Sequence, residues 1–187
     1  MEAFEDLVSQ ILAMRGYWVR TSVRVPLSDS AFASDPTIKQ RNCDLDVLAY
    51  SYRDNVVRIV ECKSWLDSPG IRWKSFNGSS EREASFFKLF NNNNLLSDVS
   101  KQLTAQLVES GACSSDVQIK LCLAGAKFFS REDKSLIRAH FASRGWELYD
   151  DDWVRDGLKD MSKLKVYMNR MSHLVSKLLD EDRHAPN

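Results

Sequence analysis

Two apolar, β-rich runs, 43–50 and 56–62, are separated by five residues that include the polar Arg53-Asp54-Asn55. A gap this short can only fold the second run back beside the first as an antiparallel hairpin. A parallel return would need a crossover of about a dozen residues. The hairpin therefore commits the chain to a sheet, and the flanking segments must supply the layers that cover it.

Upstream, Phe4, Leu7, Val8, Ile11 and Leu12 recur at helical spacing, with Gly16 where a C-terminal cap would stand. Tyr17, Val19, Val23 and Val25 mostly alternate with polar residues or Trp18, the period of a strand. Residues 26–41 read as a loop. The stretch 64–96 breaks the pattern with Ser68-Pro69-Gly70, Asn77-Gly78-Ser79-Ser80 and four asparagines at 91–94. It reads as an insertion or mobile flap, with a short helix over 81–90. Beyond it, Val99, Leu103 and Leu107 mark a helix ending near Gly111, and Val117, Ile119, Leu121 and Leu123 mark a strand. Ser130-x-x-Asp133 resembles a capping box opening a helix that ends before Gly145. Residues 146–149 predict a short strand, and 153–179 a helix. The order α-β-β-β-α-β-α-β-α predicts an α/β fold: a mixed central β-sheet flanked by helices on both faces. One domain spans 1–187, with a C-terminal helical extension at about 152–180.

Within the hairpin, the first strand carries Asp44-Leu45-Asp46-Val47-Leu48-Ala49 and the second ends Val60-Glu61-Cys62-Lys63. If the turn centres on Arg53-Asp54, Asp46 faces Glu61; if it centres on Asp54-Asn55, Asp46 faces Lys63. Both registers put Asp46, Glu61 and Lys63 on one face, whereas a three-residue loop would separate them. Two carboxylates converging at about 5 Å repel each other. A divalent cation resolves the conflict, and hard oxygen ligands suit Mg2+, with Mn2+ as an alternative. A lysine two residues on can reach a phosphate or orient an attacking water, and a bound metal lowers that water's pKa. These parts fit phosphodiester hydrolysis. The E-x-K spacing alone is weak, since Glu132-Asp133-Lys134 repeats it at a helix start. The competing reading is two strand ends with solvated charges.

A helix with a glutamate, a strand, D-L-D-V-L-A, a hairpin and V-E-C-K, followed by helix and strand, resembles the PD-(D/E)XK nuclease superfamily over roughly residues 1–150. That resemblance implies the restriction-endonuclease-like fold, with Asp46 and Glu61 as metal ligands and Lys63 as the catalytic lysine. Glu5 would match the first-helix glutamate that some members add to the metal site. The superfamily's leading proline is replaced, since Leu45 precedes Asp46. Gln102 is similar to a glutamine on the helix after the E-x-K strand that helps place substrate or metal ligands, with Gln106 an equal alternative one turn later. Acids near helix N-termini are also favoured by the helix dipole, which gives Glu5 an ordinary explanation.

Lysine plus arginine and aspartate plus glutamate each number 26. A polybasic binder is thereby excluded, and any DNA contact must come from a local patch or a metal ion. Candidates are Lys39 and Arg41 before the Asp46 strand, Arg72, Trp73 and Lys74 just past Lys63, and Lys101 beside Gln102. Lys163, Lys165, Arg170 and Lys177, with an apolar stripe from Leu164 to Leu178, read as packing or a dimer seam. No apolar run approaches the roughly 18 residues of a membrane helix, and the acidic start MEAFEDLVSQ is unlike a signal peptide. Cys43, Cys62, Cys113 and Cys122 lack zinc-site spacing, which predicts a reducing, cytoplasmic setting. The expected activity is metal-dependent hydrolysis of DNA. The alternative is a catalytically inactive DNA-binding or scaffold subunit, and a neutral domain of 21.4 kDa suggests a homodimer or a partner subunit to strengthen its grip.

Overall fold

The computed structural model describes residues 2–34 and 40–163. Lys39 and the apolar and basic stripe beyond Lys163 lie outside the described residues. A five-stranded sheet runs β1 (Trp18–Pro26), β2 (Asn42–Ser51), β3 (Val56–Lys63), β4 (Gln118–Gly125) and β5 (Glu147–Tyr149), in that spatial order. The first three strands are antiparallel and the last two join in parallel, so the sheet is mixed. A tight turn joins β2 to β3 and a longer connection carrying a short helix joins β1 to β2, whereas helical crossovers return the chain for β4 and β5. The β2–β3 register pairs Val47 with Val60 and Leu48 with Ile59. This is the register of a turn centred on Arg53-Asp54. Asn55 closes that turn at φ +52°, a region asparagine enters more readily than most residues.

Helices cover both faces. On one, α1 (Ala3–Met14) brings Val8 and Leu12 onto Val47, Ala49, Val60 and Cys122. Beside it packs α7 (Asp151–Lys163), whose Gly157 lies so close to α1 that an added Cβ would stand 2.6 Å from Ile11 Cδ1 and 2.8 Å from its two Cγ atoms. Ile11 is fully buried and β-branched, so it has little freedom to yield. Gly157→Val is expected to cost about 1–3 kcal/mol by overpacking, read as a lower urea midpoint at unchanged m. On the opposite face, α5 (Asn93–Glu109) and α6 (Arg131–Arg144) bury Leu103, Leu107, Ile137 and Phe141 against Leu48, Val57 and Ile59.

The segment 64–96 is not a free flap. It holds a 3-10 turn at Trp73–Ser75 and the short helices α3 (Glu81–Ala84) and α4 (Lys88–Asn91), in place of one helix over 81–90. Ile71, Phe76, Phe87, Leu89 and Phe90 from it are buried in the larger core. Phe90 stacks on Phe141 of α6 at 5.0 Å. Polar residues dominate the segment's turns, and they conceal this aromatic packing from a reading by composition. The capping motif at the start of α6 contributes as well. Ser130 Oγ accepts from the Asp133 N–H at 3.0 Å, as expected. The Asp133 carboxylate, however, reaches across to accept the Trp73 N–H at 2.6 Å, tying the segment to α6. The loop expected over 26–41 also contains a short helix, α2 (Asp29–Ser34). No helix among the described residues is long and apolar enough to cross a membrane.

Candidate functional site

The outer antiparallel strands turn over where the acidic residues stand. Leu45 packs in the larger core and Val47 in the smaller one, although simple alternation would put both on one face. On β1, Val23 and Val19 divide the same way, with Ser22 between them at φ +52°. Asp46 sits at this crossing. The β2–β3 ladder is recorded no further than Val47–Val60, and there the Asp46 side chain takes over: its Oδ2 accepts the Cys62 N–H at 2.8 Å. The two strands thus stay joined through a carboxylate beside Glu61.

Glu61 and Lys63 close the other side. Lys63 Nζ lies 2.5 Å from Glu61 Oε1, with the two side chains 23% and 20% exposed. Burial raises the Glu61 pKa; the Lys63 charge opposes this, while the Asp46 and Glu5 carboxylates add to it, and the net direction is upward. For Lys63, burial alone would lower the pKa, but the Glu61 carboxylate, by charge and hydrogen bond, and Asp46 lift it above its ordinary value. Two further carboxylates, those of Asp46 and Glu5, thus act on Glu61, and the Lys63 ammonium opposes them.

The sign of the linkage follows. A carboxyl whose pKa is higher in the folded protein stabilises it fully below its unfolded pKa of about 4.3, and that contribution is lost as pH rises through the folded pKa. Thermal stability of the wild type is thus expected to decline over the weakly acidic range by an increment that Glu61→Gln lacks. Mn2+ at neutral pH should raise the wild-type Tm and leave that of Glu61→Gln nearly unchanged. A metal response of equal size in both proteins would remove Glu61 from the ligand set.

Glu5 has two attachments. Its Oε2 accepts the Glu2 N–H at 3.1 Å, completing a capping box at the start of α1. It also lines a cleft of about 440 Å³ with Ser22, Arg24, Asp44, Leu45 and Asp46. A second cleft of similar volume is walled by Glu61, Cys43, Asp44, Phe86 and Lys88, so that Asp44 borders both. Asp44 itself pairs with Arg24 at 2.9 Å on the surface. The Cys43 thiol is pushed up to about 11, chiefly by burial, and burial raises that of Cys62 as well, so neither offers a thiolate nucleophile at neutral pH.

Gln102 lies on α5, half-buried. No described hydrogen bond joins it to the acidic group, and the α5 residue that borders the Glu61 cleft is Leu95. Gln106 points at β1, with a long 3.5 Å contact to the Arg24 carbonyl. The basic candidates are mostly engaged elsewhere. Arg41 pairs with Asp29 at 2.6 Å, Lys74 with Glu83 at 3.0 Å, and Arg72 lies 4.0 Å over the Phe129 ring. Trp73 packs edge-on against His140 of α6. Lys101 is exposed on α5. The cation that does reach the Glu61 cleft is Lys88, which the sequence hides in a short aromatic-rich helix.

Among the described residues, only Asp150, Asp151 and Asp152 bring three carboxylates within 4.8 Å of one another. They have local work. Asp150 Oδ1 accepts the Trp153 N–H and its other oxygen pairs with Arg138, while Lys134 and Arg155 bridge Asp151 and Asp152. Helix capping and three cations account for that cluster. At the hairpin, the described bonds engage Oδ2 of Asp46 and Oε1 of Glu61. The remaining oxygens, Oδ1 of Asp46 and Oε2 of Glu61, are hard donors of the type that Mg2+ or Mn2+ takes.

No family model matches the chain, and no curated protein matches it. Among solved structures, one described as a protein of unknown function, AF1548, matches with 17% identity over 92% of this chain and 76% of that one, at a TM-score of 0.45.

Proposed function

We propose that the chain is a metal-dependent nuclease that hydrolyses DNA phosphodiester bonds. The observation that carries this reading is the meeting of Asp46, Glu61 and Lys63 where the β2–β3 ladder gives way to a side-chain bond, with the Glu61 pKa raised chiefly by burial and further by the Asp46 and Glu5 carboxylates. A fold gains no stability from crowding like charges at a strand end, whereas a divalent cation needs them there. Asp46 and Glu61 would hold Mg2+, which supplies Lewis acidity and a more acidic bound water. Lys63 gives positive charge where a phosphate would be attacked and orients the water. Glu5, across the adjoining cleft, adds negative charge that strengthens cation binding.

One observation favours the alternative of a catalytically inactive DNA-binding or scaffold subunit. The Glu61–Lys63 contact already neutralises one carboxylate, as a chain that no longer binds metal would also do. Nicking of supercoiled plasmid with Mg2+ or Mn2+, with EDTA and Asp46→Asn controls, separates the two. Cleavage that EDTA and the variant both abolish supports the nuclease. DNA binding without cleavage of plasmid, linear, single-stranded or branched DNA supports the inactive subunit.

A further inference from the structure

Phe86 is the exposed end of an aromatic group that begins at Trp65, two residues past Lys63. Phe86 is 47% exposed, and its ring stands edge-on to Trp65 at 5.6 Å. Trp65 is held at φ +41°, a conformation that a bulky residue adopts only when its surroundings impose it. The surroundings are Phe86 and the buried Phe87, 5.5 Å away. Phe86, Lys88, Gln40 and Asn42 all line the Glu61 cleft. Lys88 has no ion-pair partner among the described residues, unlike Lys74 nearby.

An exposed ring, an unpaired ammonium and two side-chain amides in a cleft of about 440 Å³ are the parts a single nucleotide requires. The ring offers a face for the base, the ammonium a partner for phosphate, and the amides hydrogen bonds to a base edge. In a continuous duplex the bases are stacked on their neighbours and offer the ring no free face. We infer that the cleft between Glu61 and the 85–89 segment receives an unpaired nucleotide adjacent to the cut bond, its base against Phe86 and its phosphate against Lys88. The substrate is then single-stranded or frayed nucleic acid. The position of the cut bond rests on the nuclease reading, whereas the binding of an unpaired nucleotide does not.

Fluorescence anisotropy in EDTA, with labelled oligo-dT, oligo-U and a blunt two-stranded duplex of equal length, tests this on the full chain without cleavage. Oligo-dT or oligo-U should bind more tightly than the duplex. Phe86→Ala should weaken single-strand binding about tenfold or more, with Phe86→Trp restoring it. Lys88→Ala should reduce the slope of log affinity against log salt by about 0.7. The two oligomers distinguish DNA from RNA as the source of the nucleotide. Unchanged single-strand affinity in Phe86→Ala, or an equal loss on the duplex, overturns the inference. Phe86-dependent binding without metal-dependent cleavage would refute the nuclease reading and keep this one. Plasmid cleavage with no Phe86 effect on oligomer binding would do the reverse.

Discussion

Lys63→Ala is expected to slow metal-dependent DNA cleavage by about 10²–10⁴-fold, the range for loss of a positioned group acting on the attacking water. The same variant should keep the rise in Tm on adding Mn2+, because Asp46 and Glu61, which would hold the ion, remain. Removing the ammonium also removes the group that holds the Glu61 pKa down. The variant should therefore need a higher pH than wild type for the same metal affinity. Cleavage at the wild-type rate would sink the assignment of Lys63. Loss of the Mn2+ response along with cleavage would mean that Lys63 maintains the carboxylate geometry, and its role would then be positional.

Phe87→Ala is expected to cost about 3–5 kcal/mol, the range for emptying a buried aromatic site. Phe87 is fully buried and meets Phe76 at 4.7 Å, Trp65 at 5.5 Å and Phe90 at 6.4 Å. Against a total of about 5–15 kcal/mol, such a loss would lower Tm by roughly 10 °C. Denaturant unfolding followed by tryptophan fluorescence measures it directly. A cost below about 1 kcal/mol would return the 64–96 segment to the status of a dispensable insertion, a range far outside that of core aromatics.

The hairpin, the paired carboxylates and the covering helices were legible because each rests on local pattern. Alternation marks strands, a short polar gap forces an antiparallel return, and helical spacing marks α1, α5 and α6. What escaped was local pattern overridden by distant packing. The 64–96 segment has the glycine, proline and asparagine of loops, yet its aromatic residues fill the space between the sheet and α6. The basic residues expected to meet DNA, Arg41, Arg72 and Lys74, pair or stack with Asp29, Phe129 and Glu83, contacts set by chain elements at varied separations. Lys88 and Phe86 reach the cleft through the course of that same segment.

Asp46 shows the division most clearly. Its nearness to Glu61 follows from the register that turn length sets, a property of contiguous sequence, although the ladder itself stops at Val47–Val60. Its bond to the Cys62 N–H depends on β1 and β2 turning over together at Ser22 and Asp46, and on the ladder to β3 ending there. Sequence by itself determined the hairpin and its register, because turn geometry acts over a few bonds. It did not determine which face each side chain takes near Asp46, since Leu45 and Val47 lie in opposite cores. Tertiary structure alone decided which side chains are buried, which are paired and what lines the cleft. Desolvation and charge act through space, between groups that the chain order leaves far apart.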